Sequence, residues 1–107
     1  MVKKILTVAG SDAGGGAGIQ ADLKTFEEYG TFGISSITSI LTVDPKTKKP
    51  SIYPIPIDIV EKELDTAFSG GALDALKIGL LGSLPVIDLL EHYLVKVNQK
   101  NIVLDPV

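Results

Sequence analysis

The stretch Thr7-Val8-Ala9-Gly10-Ser11-Asp12-Ala13-Gly14-Gly15-Gly16-Ala17-Gly18-Ile19-Gln20-Ala21-Asp22 decides how the chain is read. It begins as the end of an apolar strand and passes through a loop that holds five of the eleven glycines. It ends as the start of a helix. Glycine lets backbone approach a bound group, because no Cβ blocks the way. Backbone N–H groups at the N-terminus of the following helix favour a polar or anionic ligand. The stretch therefore predicts the floor of a small-molecule site.

The segments on either side follow from the same reading. Residues 3–9 predict a buried strand, closed by Gly10. Residues 17–29 predict a helix, with Ile19, Leu23, Phe26 and Tyr29 on its apolar stripe and Gly30 as terminator. Residues 32–43 are rich in β-branched residues and predict a second strand. Residues 44–57 form a loop with four prolines, in which Ser51 to Tyr53 suit a short edge strand. A helix is expected over 58–69, with Asp58 as N-cap and Glu61 completing a capping box before Gly70-Gly71. Residues 73–78 predict a third strand. Ser83 then caps a helix from about Leu84 to Val97, with Pro85 near its first turn. Residues 101–105 predict a fourth strand. Such alternation predicts an α/β fold, with a parallel sheet covered by helices. The nearly continuous apolar strands predict a sheet buried on both faces.

Composition narrows the function classes. The 107 residues suffice for one domain, and 45% are hydrophobic. The formal net charge of −3 offers no basic surplus for nucleic acid. Lys46, Lys48 and Lys49, between Pro45 and Pro50, read as a solvated loop. With no cysteine, disulfides and thiolate metal sites are excluded within the chain. The apolar run Ile5 to Ala9 is too short for a signal peptide or a membrane span, so no membrane partner and a cytoplasmic location are expected. Asp105-Pro106-Val107 follows a buried strand directly, which leaves part of the sheet uncovered. The expectation is an N-terminal part of a longer protein, the alternative being a small domain completed by dimerisation.

The glycine loop lacks Gly-Lys-Ser/Thr and is not a Walker A loop. Gly16-Ala17-Gly18-Ile19-Gln20-Ala21 does match the G-x-G-x-x-A dinucleotide pattern, with Asp44 as a candidate ribose acid. Against this, Gly10 to Gly15 intervene between strand and motif, and Asp12 and Asp22 add negative charge where a pyrophosphate would lie. Asp12 and Asp22 are candidates to accept hydrogen bonds from a hydroxyl or ring nitrogen, although Asp22 also suits the helix dipole as a surface residue. Ligands of parallel sheets bind beyond the carboxyl ends of the strands. Gly79-Leu80-Leu81-Gly82 would bring an apolar wall there, and Asp105 a carboxylate suited to a Mg²⁺-bound phosphate. His92, the one histidine, reads as a surface residue, and no hydrolase triad can be assembled.

The runs TVAGSDAGGGAGIQADLKTF, DALKIGLLGS and IVLDPV resemble the amino-terminal half of the hydroxymethylpyrimidine (phosphate) kinase and pyridoxine/pyridoxal kinase family of the ribokinase superfamily. The resemblance extends from Lys3 to Val107. It implies a ribokinase-like three-layer sandwich, of which residues 1–107 would be the N-terminal portion of a single domain. It also implies transfer of the γ-phosphate of ATP, with Mg²⁺, to a hydroxymethyl group on a small pyridine or pyrimidine. By motif match, Gly10, Asp12, Ala17 and Asp22 would line the substrate pocket, with Val43, Leu80 and Val107. Leu80 stands where the family usually has methionine. Asp105, in Asp-Pro-Val, would lie on the ATP and Mg²⁺ side, directly or through water. Val43 replaces the glutamine that reads an aminopyrimidine in pyrimidine kinases, which favours pyridoxine, pyridoxal or pyridoxamine over hydroxymethylpyrimidine. The family's catalytic aspartate lies in a later glycine-rich motif, so no catalytic residue is assigned within 1–107.

Three classes remain open on sequence alone: this kinase, a dinucleotide-binding oxidoreductase domain, and a non-catalytic small-molecule-binding module. A homodimer is the expected assembly, because a second copy would help cover the open sheet. The 107-residue chain by itself is expected to transfer no phosphate. An assay of the purified chain with ATP and pyridoxal checks this, and ATP-dependent transfer would refute it.

Overall fold

The computed structural model describes residues 2–105. Its elements are β1 (Lys4–Asp12), α1 (Gly18–Glu28), β2 (Phe32–Val43), β3 (Pro50–Pro54), α2 (Ile57–Ala67), β4 (Ala75–Ile78), α3 (Leu84–Lys96) and β5 (Ile102–Leu104). The five strands form one sheet in the order β3-β2-β1-β4-β5. β1, β2, β4 and β5 are parallel, and only the proline-bounded edge strand β3 runs antiparallel to its neighbour. Proline at both ends of an edge strand costs no interior ladder bond and blunts the edge.

Side-chain alternation along the central strands sorts the helices into two layers. Leu6 and Val8 of β1 join Leu76 and Ile78 of β4 in a buried cluster with Val60, Leu64 and Phe68 from α2 and its end, and Val86, Leu90 and Tyr93 from α3. The intervening residues point the other way, towards α1, where Thr7 and Lys77 both reach Asp22. Gly33 on β2 leaves the space that α1 fills. A Cβ there would stand 2.8 Å from Leu23 Cδ2 and 3.1 Å from Phe26 Cδ2. Helices thus lie on both faces of a mostly parallel sheet, the predicted three-layer α/β arrangement.

Several local expectations are corrected. β1 does not stop at Ala9 but continues to Asp12, with its register against β2 shifting between Ala9 and Ser11. α2 starts at Ile57 with Pro56 in the cap position, so Asp58 is a first-turn residue and no side-chain cap forms. The first acceptor is instead the Pro56 carbonyl, bonded by the N–H groups of Ile59 and Val60. Ser83 does occupy the cap position of α3, but its hydroxyl makes no capping bond. β4 is shorter than predicted at its start, because both backbone polar groups of Leu73 are taken by the side-chain amide of Gln99. Tyr29 falls outside the α1 stripe and is 82% exposed. The expectation of burial on both faces fails at β5, where Ile102, Val103 and Leu104 are all exposed. α1 packs mainly on β1 and β2.

α2 and α3 are joined by an aromatic stack of Phe68 on Tyr93, with ring centroids 5.8 Å apart. The Tyr93 hydroxyl donates to the Asp65 carboxylate. Burial first, and the Asp65 hydrogen bond second, push the Tyr93 phenol up to about 12. An unfolded tyrosine titrates near 10, so between about 10 and 12 the unfolded chain releases a proton that the folded chain keeps. The folded state binds more protons there, and its stability falls as pH rises. Tyr93→Phe is expected to remove this part of the alkaline loss, seen as a flatter dependence of the urea midpoint on pH above about 10.

Candidate functional site

The carboxyl ends of β1, β2 and β4 open into a cleft of about 350 Å³. Its position follows from the β1–α1 corner. Opposite Gly10 the neighbouring strand β2 carries the extra residue: Thr38 and Ser39 face Gly10 alone, and beyond them Ser11 and Asp12 pair with Ile40 and Leu41. Gln20, in the first turn of α1, bonds the end of β1 where the register shifts. Asp12 N–H donates to Gln20 Oε1 at 2.8 Å, and Gln20 Nε2 donates to Ser11 Oγ at 2.8 Å.

Asp12 then folds the loop around its own carboxylate. Oδ1 accepts from Gly14 N–H at 2.9 Å and Oδ2 from Ala17 N–H at 3.0 Å. The Asp12 carbonyl accepts from Gly15 N–H at 2.9 Å, and Lys24 Nζ donates to the Gly15 carbonyl at 3.1 Å. The helix arrives over Gly18, whose φ of +61° suits glycine. A Cβ at residue 18 would lie 2.3 Å from the Gly10 carbonyl oxygen.

Of the residues expected from sequence, Gly10, Asp12, Ala17, Leu80 and Asp105 come together around this cleft. Asp22 lies behind them. Its carboxylate, with the side chain 16% exposed, accepts from Thr7 Oγ1 at 2.6 Å and from Lys77 Nζ at 3.0 Å. Val43 is displaced from the expected lining. It sits beyond Leu41 on the β2–β3 hairpin, about half exposed, beside Asp44 and Thr47. Pairing with β3 carries that end of β2 out past the cleft mouth. Val107 lies outside the described residues.

Residues without an assigned role complete the lining. Ser39 and Leu41 come from β2, Ile52 from β3, Lys77 from β4 and Gly79 from just beyond it. Thr38 Oγ1 donates to the Leu80 carbonyl at 2.7 Å and fixes the 79–82 loop over the sheet. A second, shallower groove of about 470 Å³ shares Gly79, Leu80 and Asp105 and continues along the start of α3. The cleft wall is apolar (Leu41, Ile52, Leu80), with the polar groups gathered at its floor. Lys77 is the one cation among its lining residues.

Asp44, the candidate ribose acid, is committed elsewhere. Its Oδ1 accepts from the N–H groups of Thr47 and Lys46 in the hairpin loop, at 2.9 and 2.8 Å. Those bonds hold its carboxyl below the usual range. His92 is exposed on α3, as expected. Among the described residues, no helix is long and apolar enough to cross a membrane.

Comparison with known proteins shows the family and the fold. A family model described as phosphomethylpyrimidine kinase matches residues 12–107. The chain is 42% identical over 105 residues to the pyridoxine kinase of Bacillus subtilis, covering 97% of this chain and 39% of that protein. It is 41% identical over 102 residues to the hydroxymethylpyrimidine/phosphomethylpyrimidine kinase of Escherichia coli, covering 95% of this chain and 38% of that protein. The fold matches the pyridoxal kinase of Staphylococcus aureus, solved in complex with AMP-PCP and pyridoxal. The TM-score is 0.94 at 45% identity, over 100% of this chain and 40% of that one. The chain therefore spans about two fifths of the length of these relatives.

The β1–α1 corner has a direct consequence for stability. Gly18→Ala meets both left-handed strain and a backbone oxygen that cannot move freely, and is expected to cost roughly 2–5 kcal/mol. Gly16→Ala, where a Cβ would meet nothing within 4 Å, should change little. Urea unfolding of the two variants side by side checks the contrast.

Proposed function

The chain belongs to the phosphomethylpyrimidine kinase family, and from that premise we propose that it forms the acceptor-binding part of an ATP-dependent kinase. The acceptor is the hydroxymethyl group of a B6-type pyridine (pyridoxine, pyridoxal or pyridoxamine), with hydroxymethylpyrimidine as the second candidate. Residues 1–107 are then the N-terminal portion of a single ribokinase-like domain. The observation that carries this reading is the cleft itself, which sets an apolar wall over a polar floor at the carboxyl ends of parallel strands.

An aromatic ring of pyridoxal size suits the wall formed by Leu41, Ile52 and Leu80. Gly10, Ala17 and Gly18 present backbone with little side chain to the ring edge. Asp105 stands where the cleft meets the neighbouring groove, a position that suits a carboxylate between acceptor and donor. Mg²⁺ is usually held by one or two carboxylates together with phosphate oxygens and water. Among the described residues, no cluster of three or more acidic, histidine or cysteine side chains could hold a metal alone. The one half-exposed carboxylate of Asp105 fits the shared kind of site, and Mg²⁺ there would draw charge from the transferring phosphoryl. The general base is assigned to sequence outside these residues. A homodimer and a cytoplasmic location complete the proposal.

The choice of pyridine over aminopyrimidine rests on the apolar side chain of Leu41, the last residue of β2 in the cleft lining. It cannot hydrogen-bond an exocyclic amine, and sites lacking a required partner discriminate strongly. The dinucleotide reading loses its ribose acid, because Asp44 is bound into its own turn.

The test uses protein expressed from the complete reading frame. Incubation with ATP, Mg²⁺ and each acceptor, followed by mass analysis, is expected to show one added phosphoryl group on pyridoxal. The rate with hydroxymethylpyrimidine should be at least about tenfold lower. Absence of ATP-dependent phosphorylation on every acceptor, with pyridoxal still bound, would favour the binding module. NAD quenching of tyrosine fluorescence would favour the dinucleotide domain.

A further inference from the structure

Lys77 occupies a position that strand physics disfavours. It lies mid-strand in β4, which is hydrogen-bonded to β1 on one side and β5 on the other, between the buried residues Leu76 and Ile78. An ammonium brought out of water needs partners, and its desolvation is compensated only when they are charged and close. The chain supplies two. Asp22 Oδ2 on α1 is 3.0 Å from Nζ, and Asp105 Oδ2 beyond β5 is 3.7 Å away. Thr7 on β1 donates to the same Asp22 oxygen and fixes its direction.

The backbone also makes room for this side chain. A Cβ on Gly79 would stand 3.0 Å from Lys77 Nζ and 2.9 Å from Ala9 Cβ. The bare glycine leaves a lane along which the lysine stem runs to the cleft floor. The side chain is 20% exposed, so its head meets the cleft rather than bulk solvent. Of its two ion pairs, the one to Asp22 is a full charge-assisted hydrogen bond and the one to Asp105 is longer than a hydrogen bond.

We infer that Lys77 is a positioning residue for phosphoryl transfer. It ties the acceptor-side carboxylate Asp22 to the donor-side carboxylate Asp105 and neutralises the floor between them. This rests on the kinase reading above. Without the ammonium, the carboxylates of Asp22 and Asp105 lose the cation they share, and a negatively charged donor approaches a floor of uncompensated charge. The loose pair to Asp105 leaves that carboxylate able to exchange partners when the donor arrives. The tight pair to Asp22 keeps α1 and the β1–α1 corner in place throughout. Misplacement of groups by about 1 Å is enough to lower turnover about 100-fold while binding persists. The signature of Lys77 is therefore a fall in kcat with little change in KM.

The experiment exploits the absence of cysteine from residues 1–107. Lys77→Cys is made in protein expressed from the complete reading frame and treated with 2-bromoethylamine. This attaches an aminoethyl group to sulfur and restores an ammonium at nearly the lysine length. Mass analysis of peptides confirms modification at position 77, and unsubstituted protein treated in parallel controls for modification elsewhere. Lys77→Gln, which keeps a hydrogen-bond donor without charge, serves as a second variant if the cysteine form does not fold. Steady-state kinetics with pyridoxal and ATP and thermal melting are measured for each. The expected result is kcat about 100-fold lower in the uncharged forms, KM values within about threefold of wild type, and recovery of most of kcat on aminoethylation. Unchanged kcat in the uncharged forms would overturn the role. So would a loss that follows the melting temperature alone, or one that aminoethylation fails to reverse. If the unsubstituted protein phosphorylates none of the acceptors, the kinase reading fails first and this role fails with it.

Discussion

The β1–α1 corner closes only because residue 18 has no side chain. The start of the helix rests against the Gly10 carbonyl so closely that a Cβ would sit 2.3 Å from its oxygen. That contact fixes how α1 leaves the sheet, and the rest of the site follows from the helix position. From this helix start Gln20 reaches the end of β1, where it bonds both Ser11 and Asp12. Asp22, two residues further on, is brought over Thr7 and Lys77. One backbone contact therefore sets the loop, the floor and the charge pairing together.

The sheet contributes a division of labour between its faces. Leu6, Val8, Leu76 and Ile78 face α2 and α3 and form the cluster where apolar burial is concentrated. Thr7, Ala9, Lys77 and Gly79 alternate with them, and are small or polar. A one-residue slip in β4 would exchange its two sets, burying Lys77 in the apolar layer without its carboxylates. The burial of the α2–α3 face thus enforces the register that holds Lys77 at the cleft. Stability and site geometry are coupled through strand alternation rather than through any direct contact between core and cleft.

Most of the architecture is legible in the chain because it depends on local signals. The β-branched run closed by Asp44-Pro45 marks both ends of β2, Phe32 and Val43, where the structure has them. The alternation of strands and helices carries the layered arrangement. Expectations fail where tertiary contacts override local preference. Gly10 reads as a strand terminator, yet β2 offers pairing partners that carry β1 to Asp12. Asp58 and Glu61 read as a capping box, yet the chain enters α2 through Pro56. The apolar run of β5 reads as a doubly buried strand, but sequence pattern carries no information on which helix will cover it. In the site, the glycine loop, Leu80 and Asp105 are visible as motifs at strand ends. Lys77 escapes a motif reading, although it leaves a signal: a charge inside the run Ala75-Leu76-Lys77-Ile78 demands a partner. Ser39, Leu41 and Ile52 leave none, since a polar or apolar residue near the end of a strand is ordinary.

Glycine loops between a strand and a helix are often phosphate cradles, and this one faces the other way. A cradle needs free N–H groups and positive potential. Here the Asp12 carboxylate already occupies the N–H groups of Gly14 and Ala17, and its carbonyl accepts from Gly15. The loop carries its own anion in the place where a phosphate would sit. Lys24 turns to the Gly15 carbonyl instead of towards the cleft. Among the lining residues, positive charge enters the cleft at Lys77 on β4, on the side where Asp105 and the second groove lie. A neutral ring with polar edges suits the loop side, and a phosphate suits the other. On the proposed kinase reading, this charge distribution would order acceptor and donor across the floor, with the lysine at the boundary between them.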